Sequence, residues 1–590
     1  MIGAMGSIKT NQHDIVIVGA GLAGLTAAYY AKKIDPKRSV LVIERSGSAG
    51  GLTGSWTDHR FGPDKKLQMP MHMIFRDKYP NLVKLVQEIG GELSTLFSGY
   101  RIITSDATAH RLEMNDWTAR MLPPPLHGLG MFSKLKMPLR AKWDMLKLAL
   151  VSTYSAREVL RGVQEPKLMP NTMSLECLEL LLGMGPVSRD FMESITPSIF
   201  NLHPWYTSAP RIAAVLAGTM TVNRDSLHYH VFGRNYNPAF IDRFVDRLRA
   251  MGVEFSFWTE ARRIDASADG SRVEALWIKN CGPGNSARYI CRNCGAENHA
   301  LDRALCTRCG LDTTLALVRD GTIKKPAPAD LWREPEECGC EKLSPGTLIT
   351  AMYPQMIARL LPEGSPLRRH PGVRSFFSSR ARQTQLSIAR VYYRGRVTRG
   401  EMMITGTHNP AFAFNGCQSV LNNFGAEDLG YAGGDVIDVL LDVGVVRDAH
   451  SHDEQKKRIV SDLARVYPDA DPSLVEHVSF ADIYPEVLYL SDQPAIAGLH
   501  RFYNGHRTGA GNWFVAGCHS GLIGIGMESA VQSAMSAVNC MFENTGESVK
   551  INRYEMHPLS RAASYLGQAI LWWKVGRHPG RMAGTRYSER

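Results

Sequence analysis

Apolar residues fall into three kinds of run along this chain. The first kind is short and continuous, bounded by glycine or polar residues. Stretches 14–18, 39–43, 252–257, 348–353 and 512–516 have this form, which predicts strands buried in a sheet. The second kind repeats at helical spacing. It predicts helices over 22–33, 175–182, 211–220, 240–251, 356–361 and 453–467. It also predicts one through Leu82, Leu85, Val86 and Ile89 that stops at Gly90-Gly91. The third kind is strand-like and lies between these pieces: 100–114, 261–264, 273–278, 383–393 and 411–423. Buried-strand pieces recur from one end of the chain to the other, with other material between them. The fold class is therefore α/β, with two domains interleaved in sequence.

The first two apolar runs enclose a motif. Asp14–Val18 leads into Gly19-Ala20-Gly21-Leu22-Ala23-Gly24, an Ala-rich helix follows, and Ser39–Ile43 ends in Glu44, twenty residues beyond Gly24. Gly19 allows the tight turn, Gly21 lets a pyrophosphate reach the backbone, and Gly24 lets helix and strand pack closely. The free N–H groups of the helix attract phosphate, and Glu44 is placed to accept from ribose hydroxyls. Strand, glycines, helix and acid agree, which is stronger than GxGxxG alone. A second glycine loop, Ser46–Gly54, carries the pair Gly50-Gly51. In flavoproteins with an amine-oxidase-like dinucleotide fold, such a pair follows the acid and meets the flavin, so the loop points to FAD rather than NAD. Near the far end, Val515-Ala516-Gly517 precedes a small-residue helix beginning at Met527. That strand, turn and helix form the expected closing piece of an FAD domain.

Cysteine usage adds a metal. The chain has eleven cysteines. Cys291 and Cys294 form one CxxC knuckle, and Cys306 and Cys309 form another, with eleven residues between. Four thiolates at this spacing suit a structural, tetrahedral Zn2+ with no open position for catalysis. Unpaired thiols or an iron–sulfur cluster are the other readings. The knuckles argue for a reducing compartment rather than a disulfide scaffold.

Charge bears on partners. Lys and Arg outnumber Asp and Glu by 68 to 57, a net +11, without a nucleic-acid motif. No nucleic-acid partner is expected. Residues 131–151 mix Trp143 and leucines with lysines and arginines, and the tail joins Trp572-Trp573 to Lys574 and Arg577. Such segments suit an anionic membrane interface, and they equally suit helices packed on the core with basic residues outward. No signal peptide or transmembrane stretch is expected. The expected location is cytoplasmic, either free or as a peripheral membrane protein.

The sequence resembles the plant- and cyanobacterial-type phytoene and ζ-carotene desaturases. The resemblance rests on GAGLAGLTAA, ERSGSAGG, MHMIF with YPNL, LPPPLHGL, MGVEF and VAG with GMESAVQSA. It covers most of the chain outside the cysteine-rich insertion. Cys518 stands where that family closes its AGD motif with Asp. The resemblance implies a Rossmann-like FAD-binding domain interleaved with an α+β substrate domain. It also implies hydride removal from a long apolar isoprenoid at a membrane, with a quinone or oxygen as electron acceptor. The implied division gives the FAD-binding domain 12–100, 241–282, 344–365 and 486–545, and the substrate domain 101–240 and 366–485. A zinc-ribbon-like insertion occupies 283–343, and a C-terminal helix with a basic tail occupies 546–590. Cofactor residues are expected at Gly19, Gly21, Gly24, Glu44, Gly50, Gly51, Gly517 and Met527, and at Ala261 through its backbone. Catalytic candidates are His72 and His519. An amine oxidase, a flavin-dependent isomerase and a non-catalytic flavin-binding protein are the alternatives.

Overall fold

A computed structural model describes residues 11–57, 66–68, 74–75, 78–96, 99–113, 122–126, 135–161, 166–170, 172–200, 203–210, 212–213, 216, 229–232, 234–280, 287–290, 297–300, 339–370, 372–374, 386–398, 404–408, 411–419, 431, 433–441, 452–483, 506–520, 526–553 and 555–577. The opening motif folds as strand β1 (Gln12–Val18), helix α1 (Leu22–Ile34) and strand β2 (Val40–Ile43). Their sheet is completed by β3 (Val253–Ser256), β4 (Thr259–Ala266), β5 (Val273–Asn280), β6 (Glu341–Thr350) and β7 (Trp513–Val515). The order is β4-β5-β6-β1-β2-β3, with β7 also paired to β6.

β1, β2, β3, β7 and the second half of β6 run parallel, while β4 and β5 form an antiparallel pair. The sequence predicts only 348–353 as strand here. β6 starts earlier, pairing antiparallel with β5 over Glu341–Leu343 before turning parallel to β1. Gly346 permits that change of neighbour: a Cβ there would lie 2.8 Å from the Asp14 carbonyl oxygen.

The parallel strands are covered on both faces, which is why they read as continuous apolar runs. Ile15, Ile17, Val40 and Val42 face one cluster with α1 and helix α4 (Met527–Met541). Val16, Val18, Leu41 and Ile43 face a second with β4, β5 and Trp513. Helix α2 (Pro80–Ile89) joins the first cluster and ends at Gly90, whose φ of +76° takes the left-handed turn expected after a helix.

A second seven-stranded sheet carries the rest. Its order is Val475–Ile483, Leu386–Tyr393, Val436–Leu441, Phe414–Ser419, Ile404–Thr407, Gly99–Ile103 and Ala109–Glu113. Helix His452–Val466 packs Ile459 and Leu463 on one face. Helix Pro186–Phe200 packs on the other, so close that a Cβ on Gly406 would lie 2.7 Å from Ser198 Oγ. On adjacent strands Arg390 Nε donates to Asp438 Oδ1 at 2.6 Å and Nη2 to Oδ2 at 2.9 Å, a fully buried two-pronged pair.

Helix α3 (Leu139–Leu160) and helix α5 (Pro558–Arg577) pack against each other beside this sheet. At their crossing a Cβ on Gly567 would lie 2.0 Å from the Leu150 carbonyl oxygen, so only glycine fits.

The cysteine-rich insertion is described in part. Ala287–Ile290 and Glu297–Ala300 pair antiparallel. Cys291, Cys294, Cys306 and Cys309 lie outside the described residues. Among the described residues no group of three or more His, Cys, Asp or Glu is placed to hold a metal.

Candidate functional site

The carboxyl ends of β1, β2, β6 and β7 form one edge of the parallel sheet, the edge at which ligands bind in open α/β sheets. At β1 the chain leaves through Gly19, whose φ is +101° and whose added Cβ would strike the Ala351 carbonyl oxygen at 2.8 Å. Gly24, one turn into α1, lies against that turn: a Cβ would fall 1.9 Å from the Gly19 carbonyl oxygen. Gly21 differs. Its backbone is extended, at φ −73° and ψ 176°, and among the described residues beyond its chain neighbours no atom lies within 4 Å of its Cβ position. Two glycines are thus required by the protein's own packing, and the third faces open space.

The second glycine loop lies on the first. The Gly50 N–H donates to the Ala20 carbonyl at 2.9 Å, and Gly21 and Gly50 form a parallel bridge. Gly50 and Gly51 both have positive φ, +119° and +54°. Glu44, just past β2, is fixed by three donors. Ala20 N donates to Oε2 at 2.8 Å, and Ser46 N and Oγ each donate to Oε1 at 2.9 Å. A carboxylate offers about four acceptor sites, so one remains for a hydroxyl. Ala261 lies on β4 opposite Ile278, with the ladder irregular between it and Arg263. The same strand begins where the Thr259 N–H donates to the Glu44 carbonyl at 2.9 Å.

The far end of the chain reaches the same edge. After β7 the Ala516 N–H donates to the Thr350 carbonyl, and the Gly517 N–H donates to Ser533 Oγ at 2.8 Å. Gly517 has a φ of +151°, and a Cβ would lie 2.5 Å from His519 Cε1. His519 is buried, with its ring folded back on this turn. His72 lies outside the described residues. Cys518 approaches Tyr353, just past β6, and its thiol helps burial push the Tyr353 phenol well above the usual range. Met527 is buried at the start of α4, after Gly526 with φ +69°. Neither α1 nor α4 has a side-chain cap at its start, so their first N–H groups are available to an anion.

Residue-pattern reasoning missed one arrangement. Glu528, fully buried, accepts from Leu82 N at 2.8 Å, Asn81 Nδ2 at 2.7 Å and Gln532 Nε2 at 2.9 Å. It thereby caps the start of α2 from 446 residues away and ties the YPN segment to the closing helix. Burial pushes its carboxyl up to about 7, against the pull of these donors.

The residues present fit a dinucleotide. Gly21 leaves room for a pyrophosphate, two uncapped helix starts offer N–H donors, and Glu44 keeps an acceptor for ribose. The fold and this edge define a Rossmann-like dinucleotide-binding protein with a second, sheet-bearing domain. Known proteins narrow the class. The NAD(P)-binding Rossmann-like domain model matches residues 17–89, and the flavin-containing amine oxidoreductase model matches 429–542. Among solved structures, putrescine oxidase bound to putrescine is similar at a TM-score of 0.58 and 14% identity, covering 91% of this chain and 99% of that one. Cyclohexylamine oxidase from Brevibacterium oxydans IH-35A is similar at 0.56 and 13%, covering 91% and 100%. At such identities the likeness is one of fold. Curated relatives match over short stretches. Thiamine thiazole synthase of Candida albicans (strain WO-1) is 41% identical over 69 residues, 12% of this chain and 19% of that protein. The chain therefore spans about a fifth of the length of that relative. Together the two family matches cover less than half of the chain, one at the glycine motif and one at the closing helix, and the solved structures share its fold.

Proposed function

We propose that this protein is an FAD-dependent oxidoreductase that removes a hydride from an apolar substrate, in the manner of the isoprenoid desaturases it resembles. The observation that carries the cofactor half is the contrast among the three glycines. Gly19 and Gly24 close on protein atoms, whereas Gly21 opens onto empty space beside the Glu44 carboxylate. When bound, the flavin would supply the hydride acceptor, and the protein's part would be placement and exclusion of water. Gly21 and the start of α1 would hold the pyrophosphate, Glu44 the ribose, and the Ala261 backbone the adenine. Gly50, Gly51, Gly517 and Met527 would border the rest of the cofactor. No dedicated acid–base residue is required by this reading. Electrons would pass on to a quinone or to oxygen. The insertion would hold a structural Zn2+ through Cys291, Cys294, Cys306 and Cys309, apart from the chemistry.

A second reading is an amine oxidase, favoured by the flavin-containing amine oxidoreductase match over 429–542. Anaerobic bleaching of bound flavin separates the two. Loss of colour with polyprenes or carotenoid precursors supports the desaturase reading, and loss of colour only with amines supports the oxidase. No bleaching with either panel would reject both.

A further inference from the structure

We propose that the outward face of α5, with the start of α3, docks on an anionic lipid surface. The proposal does not depend on the flavin reading. Helix α5 buries only one side: Ser560, Ser564, Gly567 and Leu571 face α3 and the core. The opposite side should be polar on a helix that meets water alone. Instead it exposes Leu559, Tyr565, Leu566, Trp572 and Trp573, with Trp572 71% exposed. Ala562 and Ala569 complete the same stripe and are also exposed. The helix contains no acidic residue, and its basic residues sit at the margins of the stripe: Arg561 near one end, Lys574 and Arg577 at the other.

The two helices run antiparallel. Arg157 of α3 donates to Ser564 Oγ at 3.1 Å and to Gln568 Oε1 at 2.7 Å, whereas Leu150 meets Gly567 and Lys147 Nζ donates to the Leu182 carbonyl. Lys574 reaches that same region, 3.7 Å from the Cβ position of Gly183. The start of α3 therefore lies toward the tryptophan end of α5. That start is exposed too, at Leu139 (85%) and Trp143 (59%), with Arg140 and Lys142 between them.

Charge complementarity selects the occupant. Tryptophan beside lysine and arginine is the side-chain set of a headgroup boundary. Lys574 and Arg577 each lie over the Trp573 ring, at 5.2 and 4.1 Å, as ammonium and guanidinium groups do when they flank an aromatic anchor. A second copy of the chain would oppose these cations to themselves across a two-fold axis, which disfavours self-association. The surface is one for lying on a bilayer: among the described residues no helix is long and apolar enough to cross one.

The test uses the full chain and vesicles of phosphatidylcholine, with and without anionic phosphatidylglycerol. The parent protein should float with the anionic vesicles and be released by salt. Trp572→Ser with Trp573→Ser should abolish flotation. Lys574→Gln and Arg577→Gln should each weaken it about five-fold. Trp572, Trp573 and Arg577 are exposed and Lys574 is half-buried, so flavin content should not change in any variant and melting temperature should not change in the tryptophan and Arg577 variants. Three results would overturn the proposal. One is absence of parent binding; another is binding indifferent to the tryptophans. The third is a concentration-dependent dimer abolished by the same double substitution, which would assign the face to a second copy.

Discussion

Gly21 and Gly24 stand three residues apart, yet the structure gives them opposite consequences. A methyl group at Gly24 would lie 1.9 Å from the Gly19 carbonyl oxygen and 3.1 Å from its carbon, both backbone atoms. Backbone cannot rotate away, so α1 would have to back off from the turn. Overpacking of this kind costs about 1–3 kcal/mol, which lowers the melting temperature of a domain this size by roughly 2–12 °C. At Gly21 the same methyl meets nothing within 4 Å, and φ −73° suits alanine. Gly21→Ala should therefore leave the flavin-free melting temperature within about 1–2 °C, a change of ~0.5 kcal/mol or less. The methyl would instead fill the space left for a pyrophosphate. Flavin binding should weaken by about 5- to 150-fold, the same 1–3 kcal/mol now set against the ligand. The assay pairs differential scanning fluorimetry of flavin-free protein with fluorescence titration of FAD. Gly21→Ala binding FAD as tightly as the parent would refute the cradle. So would Gly24→Ala with an unchanged flavin-free melting temperature.

Three further outcomes follow from the same geometry. Glu44→Ala removes the acceptor for ribose and the anchor for Ala20 N, so the purified variant should carry less flavin than the parent; flavin-to-protein absorbance ratios check this. Between about pH 6.5 and 4.5 two buried groups should pull stability in opposite directions. Burial lowers His506 from 6.5 to about 4, so the unfolded chain protonates first and stability falls as pH drops through that window, by roughly 3 kcal/mol. Burial raises Glu528 from 4.5 to about 7, so the folded chain protonates first and stability rises as pH drops from 7 to 4.5, by a similar amount. Relative to the parent, denaturant melts of His506→Leu should show stability gained on acidification and those of Glu528→Gln should show stability lost; curves parallel to the parent would remove both assignments. Cys291→Ser should lower zinc measured by elemental analysis, and unchanged stoichiometry would end the four-thiolate proposal.

Much of the dinucleotide half could be read from the chain because its signals are local. β1, β2 and β7 are apolar runs buried on both faces, and the glycines mark turns within a few residues of the strands they follow. The second sheet is harder to read. Strands 436–441 and 475–483 carry Asp438, His477 and Ser479, which break an apolar pattern. Asp438 is tolerated there because Arg390 arrives from the neighbouring strand, a partner that periodicity does not reveal. The Glu528 cap was hidden for the same reason: its donors lie at the other end of the chain. Phe240–Met251, expected as one helix, is a π turn over Asn237–Ile241 followed by an α-helix over Asp242–Ala250. The interface pattern in 131–151 left two readings, and exposure divides them along one helix. Leu139 and Trp143 face outward, whereas Met145 and Leu148 pack on the core.

The central claim is that the opening fold grips FAD, and the visible spectrum of the purified full-length protein tests it most directly. The account predicts an oxidised-flavin spectrum, either as purified or after added FAD and removal of the excess, with the bound cofactor released on denaturation. Colourless protein that takes up no added FAD would contradict it.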